Sequence, residues 1–298
     1  MNVNMGSLDT LGLGVKLEHL QALYQHKLNE ALSEAFEREL LDAAFVNLLY
    51  PNKLRMNNFG YALRGLIGHM LHRLAPNDEV IDCSWFKSRS GTNEITPRHQ
   101  IKFAIQGGLS DKFVTKVLKV GKINRIASEL VTIINELDSY THIKQSTFNI
   151  DAELTEKKAK QCLKVTLKFV KKINEIRNKV KNKLIKVIDN KLIETACFEP
   201  VPELDLLSTH HSVEDVSLQR IYGQSIGAHS IKMAVEASVY VKQWYGSNFD
   251  CRKGDGFEKT ATFPACFEIE VVFEKPLGSV ISVHDYTVDT SKDDLLFL

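Results

Sequence analysis

The chain has 298 residues, of which 44% are apolar and 25% are charged, and its formal net charge is +1 at pH 7. A chain of this size can bury a sizeable core, and its composition excludes a disordered tail protein and a uniformly basic nucleic-acid coat. No segment reaches the roughly 20 unbroken apolar residues of a membrane span, and the first residues lack the basic flank and apolar run of a signal peptide. We therefore expect a cytoplasmic protein that does not enter a membrane.

The first half of the chain has the apolar spacing of helices. Apolar side chains recur every three or four residues through 15–50, without Gly or Pro, which predicts one long helix or two in series that end before Pro51. The pair Asn57-Asn58 offers a cap for the next apolar helix. Residues 83–98 are rich in turn formers and basic groups, so we predict a loop there.

Two further stretches complete the predicted helices. Helical periodicity returns at 99–105 and, after a break at Gly107-Gly108, continues to about residue 138. Between Thr155 and Leu192 the apolar residues again step by three or four, which predicts one amphipathic helix of about 55 Å. Such a helix suits a spacer or the seam of a homodimer.

The long helix concentrates positive charge. Residues 157–191 contain thirteen Lys or Arg against only Glu175 and Asp189, a balance of +11 that leaves −10 for the rest of the chain. One interpretation is a solvated helix face, and the other is a track for a phosphate backbone or an acidic partner surface. The candidate nucleic-acid-binding residues on this helix are Lys164, Lys168, Lys171 and Lys172.

The hydrophobic period changes from helical to two after Ser212. Apolar residues occupy the odd positions of 231–241 and 263–273, which is the pattern of half-buried strands. Weaker strand signals lie near 213–222 and 280–288. Consecutive strands without helices between them predict an antiparallel sheet of about four strands, and the chain has neither a GxGxxG nor a P-loop motif.

These patterns together predict an α+β protein in three parts. We expect an N-terminal helical domain at 1–150, a basic connecting helix at 151–199 and an antiparallel β domain at 200–298. The five cysteines are scattered, odd in number and without a CxxC motif, so they indicate neither a disulfide framework nor a structural zinc site. We expect neither a metal ion nor a cofactor.

The second predicted helix concentrates groups that could act on RNA. It carries Arg64, His69 and His72, with Arg55 near its start, and Arg64 to His69 matches the Arg-x4-His form of the HEPN ribonuclease motif. Because RNA supplies its own 2′-hydroxyl nucleophile, a metal-free site needs mainly a His to move a proton and an Arg to hold the phosphate. Residues five apart on a regular helix point about 140° away from each other. The pair therefore converges only on an irregular helix or across a subunit seam, and the alternative is a buried His with an exposed Arg.

Two segments near the C-terminal half offer other chemistry. Residues 203–211 contain two carboxylates and two imidazoles, which suit a metal site, an acid-base pair or a solvated linker. The loop after the second strong strand could hold a cation through Asp250 and Asp255, or an anion through Arg252 and Lys253. Ordinary hairpin-turn chemistry is the alternative for this loop.

Several segments together resemble a bacterial family of predicted nucleases associated with prokaryotic PIWI proteins. The segments are Arg55–Arg64, His69–Pro76, Cys83–Phe86, Gln106–Asp111, Tyr140–His142 with Thr147–Phe148, and Tyr245–Asp250 with Arg252 and Gly254–Gly256. The resemblance covers about residues 30 to 290 and implies a role in defence against invading nucleic acid. Its candidate site residues are Arg64, His69, His142, Asp250 and Arg252.

The leading hypothesis is a nucleic-acid-directed bacterial defence protein that acts as a metal-independent, HEPN-like ribonuclease. His69 would serve as general base or acid, Arg64 would stabilise the developing phosphate charge, and the helix at 157–191 would hold the backbone. The expected partner is nucleic acid, RNA ahead of DNA, with a defence-operon protein and a second copy of the chain as further candidates. The alternatives are a non-catalytic nucleic-acid-binding sensor or adaptor, and a metal-dependent nuclease that uses the C-terminal loop.

Overall fold

The structure is a computed structural model that describes residues 5–87, 94–274 and 277–291. The chain divides into two compact units, Met1–Ile176 and Arg177–Leu298. One 47-residue helix, Ala152–Phe198, crosses this division, as the apolar spacing between Thr155 and Leu192 predicts. None of the helices in the described ranges combines the length and the apolarity that a membrane crossing requires.

The first unit is helical. Its elements in chain order are α1 (Met5–Asn29), α2 (Ala35–Leu49), α3 (Arg55–Leu74), α4 (Asn77–Ile81), α5 (Pro97–Gln106), α6 (Ile123–Thr141) and the first part of α7 (Ala152–Phe198). The apolar stretch at 15–50 thus forms two helices in series. One turn of π-helix, Phe113–Val117, stands between α5 and α6, where the sequence predicts ordinary helical periodicity.

Helix α3 lies at the centre of this unit, in contact with α2, α5 and α6. Its Phe59, Leu63, Leu66 and Ile67 are fully buried, and burial of side chains of this size contributes about 1.5 to 3 kcal/mol each. Gly60 sets the approach of α6, because a Cβ at this position would lie 3.0 Å from the Cβ of Tyr140. A glycine is therefore required here for the two helices to pack at this distance.

The predicted cap at Asn57-Asn58 is wrong. Helix α3 begins at Arg55, so both asparagines lie inside its first turn. Asn57 is buried, and its Nδ2 donates to the backbone oxygen of Tyr140 at 2.9 Å and to Oγ1 of Thr147 at 3.3 Å. A hydrogen bond to a distant segment thus outweighs the local preference of asparagine for a helix end.

The second unit contains the predicted antiparallel sheet. Its strands are β1 (His210–Ile226), β2 (Ser230–Tyr245), β3 (Phe257–Val272) and β4 (Ile281–Val288), and they are adjacent in the order β1-β2-β3-β4. The odd positions of β2 are buried from Ile231 to Gln243, which confirms the period-two pattern. The two weaker strand signals correspond to β1 and β4. The protein is therefore mixed α+β, with a helical N-terminal region and the sheet at the C-terminus.

The remaining elements of the second unit flank the sheet. Short helix α8 (Pro202–Asp205) contacts β1 and β4, and α9 (Asn248–Lys253) connects β2 to β3. Gly278, at φ +94°, lies before β4 and close to α7, because an added Cβ would be 3.1 Å from Cδ2 of Leu184. The C-terminal part of α7 therefore packs close to the chain that enters β4.

Candidate functional site

Arg64 is held at the edge of α3 that faces α6. Its Nε donates to Oδ1 of Asp138 at 2.7 Å, and both side chains are partly exposed, Arg64 at 34% and Asp138 at 50%. Its Nη1 lies 3.0 Å from the position that a Cβ on Gly68 would occupy. The guanidinium is thus fixed beside the helix surface one turn after its own backbone, where a glycine leaves the space open.

His69 lies at the opposite edge of α3, against α2. Its half-buried ring meets Phe36 edge-on, with ring centroids 5.1 Å apart and an interplanar angle of 76°. Over the described ranges, no hydrogen bond or ion pair joins His69 to Arg64. The structure therefore places the two residues of the Arg-x4-His pattern on one helix but with different partners, as the 140° between their directions leads one to expect.

Arg55 is buried at the start of α3. Its Nε donates to the backbone oxygen of Tyr50 at 3.3 Å, the residue is 9% exposed, and burial lowers the pKa of its guanidinium. A phosphate contact at this residue would require the side chain to turn outward.

A second arginine of α3, Arg73, forms the ion pair that the sequence does not reveal. Its Nε and Nη2 donate to Oε1 of Glu37 at 3.0 and 2.6 Å, and Nη2 also donates to Oγ of Ser33 at 3.1 Å. Glu37 is completely buried. Arg73 follows His69 by four residues, so both lie on the edge of α3 that faces α2. No local pattern predicts a partner 36 residues away.

The basic helix presents a lysine stripe in the first unit. The four lysines of this stripe are exposed, and the described part of the chain gives them no salt bridge: Lys157, Lys160, Lys164 and Lys171. At 100° per residue they fall within about 60° of arc, opposite the buried face of α7. The stripe is therefore a row of unpaired positive charges along about 20 Å of helix.

Two more predicted lysines lie beside the stripe and are paired with carboxylates. Lys168 Nζ is 2.8 Å from Oε2 of Glu129, and Lys172 Nζ is 2.5 Å from Oε2 of Glu175. Hydrogen bonds from Lys168 and then Arg125 hold the pKa of the Glu129 carboxyl below its ordinary value. These two lysines can contact a phosphate only in competition with their present partners.

A groove between α6 and α7 opens beside Lys164 of the lysine stripe. It has a volume of about 280 Å³ and is lined by Glu129, Thr132, Ile133, Gln161, Lys164, Val165 and Lys168. The two candidate lysines at 164 and 168 therefore border a recess with an apolar floor.

The candidates of the second unit are more dispersed. Nδ1 of His211 is 3.5 Å from Oδ1 of Asp205, so the 203–211 segment brings one imidazole to one carboxylate. Arg252 is exposed, and Nζ of Lys253 lies 4.2 Å from the ring centre of Phe249. The side chain of Asp250 lies outside the described residues. Across the ranges the structure does describe, no three His, Cys, Asp or Glu side chains form a group that could hold a metal ion.

The fold joins segments that carry the family resemblance. Asn57 of the first segment binds Tyr140 and Thr147 of a later one, and His142 is exposed at the end of α6. Nε1 of Trp85 donates to the backbone oxygen of Gly107 at 2.8 Å. These long-range bonds stabilise the packing around α3 and α5.

The comparisons with known proteins agree with this resemblance. Residues 29–166 and 173–292 match two family models, each described as a predicted pPIWI-associating nuclease. A comparison with curated proteins and one with solved structures gave no match. The two matched ranges together cover most of the chain.

Proposed function

This chain belongs to the family of predicted pPIWI-associating nucleases, and from that premise we propose that it is a nucleic-acid-directed nuclease of bacterial defence that cleaves RNA without a metal ion. The observation that carries the proposal is the lysine stripe on α7. Four unpaired cations in a row attract a polyanion, and when they neutralise its phosphates they release the counterions condensed on the nucleic acid.

The proposed chemistry is centred on α3. Arg64 stabilises the charge that develops on the phosphate, and His69 transfers a proton as general base or acid. The 2′-hydroxyl of RNA is the nucleophile, which is why we propose RNA rather than DNA. Arg64 is partly exposed and His69 half-buried, so both side chains remain open to a substrate. In this proposal a second copy of the chain, across a subunit seam, brings an Arg64 and a His69 to one phosphate.

A second candidate function is a non-catalytic sensor or adaptor. The observation that favours it is the separation of Arg64 from His69, since each is engaged with a different neighbouring helix. In that case the lysine stripe would bind nucleic acid without turnover.

The test combines binding with turnover. Single-stranded RNA and DNA are incubated with the purified protein, with and without chelator, and cleavage and dissociation constants are measured over a range of NaCl concentrations. We expect RNA cleavage that persists in chelator, and affinity that falls with a log-log slope of about −0.7 per phosphate contact. Binding of both RNA and DNA without cleavage of either would support the adaptor function instead.

Charge reversal tests the stripe itself. We expect a variant with Glu at the four stripe positions, 157, 160, 164 and 171, to bind more weakly and to show a salt slope that is shallower by about 3. A matched control changes the net charge equally at exposed lysines elsewhere in the first unit, namely Lys27, Lys112, Lys116 and Lys144. Equal loss of binding in both variants would show attraction by net charge alone and would contradict the track.

A further inference from the structure

Arg64 and His72 lie two turns apart on one side of α3, with Gly68 between them. Arg64, Gly68 and His72 are spaced four residues apart, and on a regular helix such residues follow one another at about 40° of rotation. The middle position has no side chain, and Nη1 of Arg64 lies beside it, 3.0 Å from where a Cβ would be. Arg64 therefore carries its charge one turn along the helix towards His72.

His72 lies between the two residues of the Arg-x4-His pattern. Around the helix axis it stands about 80° from Arg64 and 60° from His69, whereas those two are 140° apart. The side chain of His72 is exposed. Because the Cα–Cβ bonds of a helix tilt towards its N-terminus, the Cβ of His72 is inclined towards Gly68, which lies about 6 Å earlier along the axis. A ligand at the surface beside Gly68 is therefore within the range of both side chains.

We propose that His72 is a second proton-transfer residue of α3, and that Gly68 is the positioning residue that lets Arg64 reach the phosphate between them. The proposal rests on the proposed ribonuclease function and adds the residue that the sequence motif omits. Nε of Arg64 is bound to Asp138 while Nη1 lies beside Gly68, so the guanidinium keeps donors for the two non-bridging oxygens of a phosphodiester.

The reaction then has a base and an acid. His69 takes the proton of the 2′-hydroxyl, the 2′-oxygen forms a bond to phosphorus, and the bond from phosphorus to the 5′-oxygen breaks. Protonated His72 gives its proton to that departing 5′-oxygen. The products are a 2′,3′-cyclic phosphate and a 5′-hydroxyl. His69 has gained one proton and His72 has lost one, so the protons balance.

The first experiment tests the site without activity. Inorganic phosphate is titrated into the full chain while the imidazole signals of His69 and His72 are followed by NMR. We expect the His72 signal to move on addition of phosphate, and Gly68→Ala to weaken this binding about tenfold because the new methyl group would lie only 3.0 Å from Nη1 and would force the guanidinium of Arg64 to shift. Gly65→Ala is the matched control on the same helix, since its Cβ would meet nothing within 4 Å.

The second experiment assigns the role of His72. The substrate is an RNA dinucleotide whose 5′-bridging oxygen is replaced by sulfur, a leaving group that needs no acid. We expect His72→Ala to cut oxygen-substrate cleavage by about 10² and to regain most of the rate on the sulfur substrate. His69→Ala should remain slow on both substrates, because its proton transfer is still required.

The outcomes separate the proposal from the function on which it rests. A His72 signal unmoved by phosphate, or equal phosphate binding in Gly68→Ala and Gly65→Ala, overturns the phosphate site whether or not RNA is cleaved. Full activity of His72→Ala on the oxygen substrate overturns its role as acid while the ribonuclease assignment stands. Absence of RNA cleavage in the parent protein contradicts the proposed function and the acid role of His72. The phosphate titration then tests only whether Arg64 and His72 bind an anion.

Discussion

The two edges of helix α3 use the same kind of ion pair in different surroundings. At the edge facing α2, Arg73 binds the completely buried carboxylate of Glu37, whereas at the edge facing α6, Arg64 binds Asp138, which is half exposed. A buried carboxylate that loses its partner keeps the full cost of desolvation, but an exposed one is solvated by water. The first pair should therefore stabilise the fold, and the second should leave its arginine available for a ligand.

Removal of Arg73 should have the largest effect on stability. We expect Arg73→Ala to lower the free energy of unfolding by about 3 to 5 kcal/mol, because Glu37 would remain buried without its donors. Urea denaturation measures this change. The control replaces both Arg73 and Glu37 by Met, and the decrease in its free energy of unfolding should be much smaller. Equal losses in the single and double variants would mean that packing, rather than the charge, sets the cost.

Removal of Arg64 should affect turnover instead of stability. We expect Arg64→Ala to reduce RNA cleavage by about 10² while the free energy of unfolding changes by less than about 1 kcal/mol. Arg125→Ala is the control, since Arg125 also forms one exposed ion pair, with Glu129, and should leave cleavage unchanged. A loss of stability in Arg64→Ala comparable with that of Arg73→Ala would remove the distinction between the two edges.

The smallest effect should come from the pair of Glu129 with Lys168. The pKa of Glu129 is lowered in the folded chain, first by the hydrogen bond from Lys168, so its ionised form stabilises the fold above the ordinary glutamate pKa. This contribution disappears as the pH falls through the lowered pKa. We expect Glu129→Gln to cost about 0.2 to 1 kcal/mol at pH 7 and nothing near pH 2, in urea titrations at both pH values. A cost that is equal at both pH values would contradict the electrostatic explanation.

Most of the fold could be predicted because its signals are local and long. The period-two runs in β2 and β3, and the apolar steps of α7, each extend over many residues, so they indicate the element without knowledge of the partner. The start of α3 could not be predicted in this way. Asn57 has the side chain of a helix cap, yet a contact with Tyr140, 83 residues away, places it inside the helix.

In the candidate site, too, the features with a local sequence signal could be predicted and those that depend on tertiary contacts could not. Arg64 and His69 could be selected from the sequence because their spacing matches a motif, and the charge of α7 could be counted directly. The Glu37 partner of Arg73 and the open space at Gly68 depend on which helices pack together and on how a flexible side chain turns. Neither leaves a periodic signal in the sequence.

The strand order of the sheet bears on how the chain reaches its folded state. Among the described residues every strand pairs only with a neighbour in sequence, from β1 through β4, so none of these pairings has to wait for the closure of a long loop. Contacts between residues close in sequence lower the contact order, and low contact order is associated with fast folding. The sheet can therefore assemble as a succession of hairpins, each of which supplies the edge on which the next strand forms.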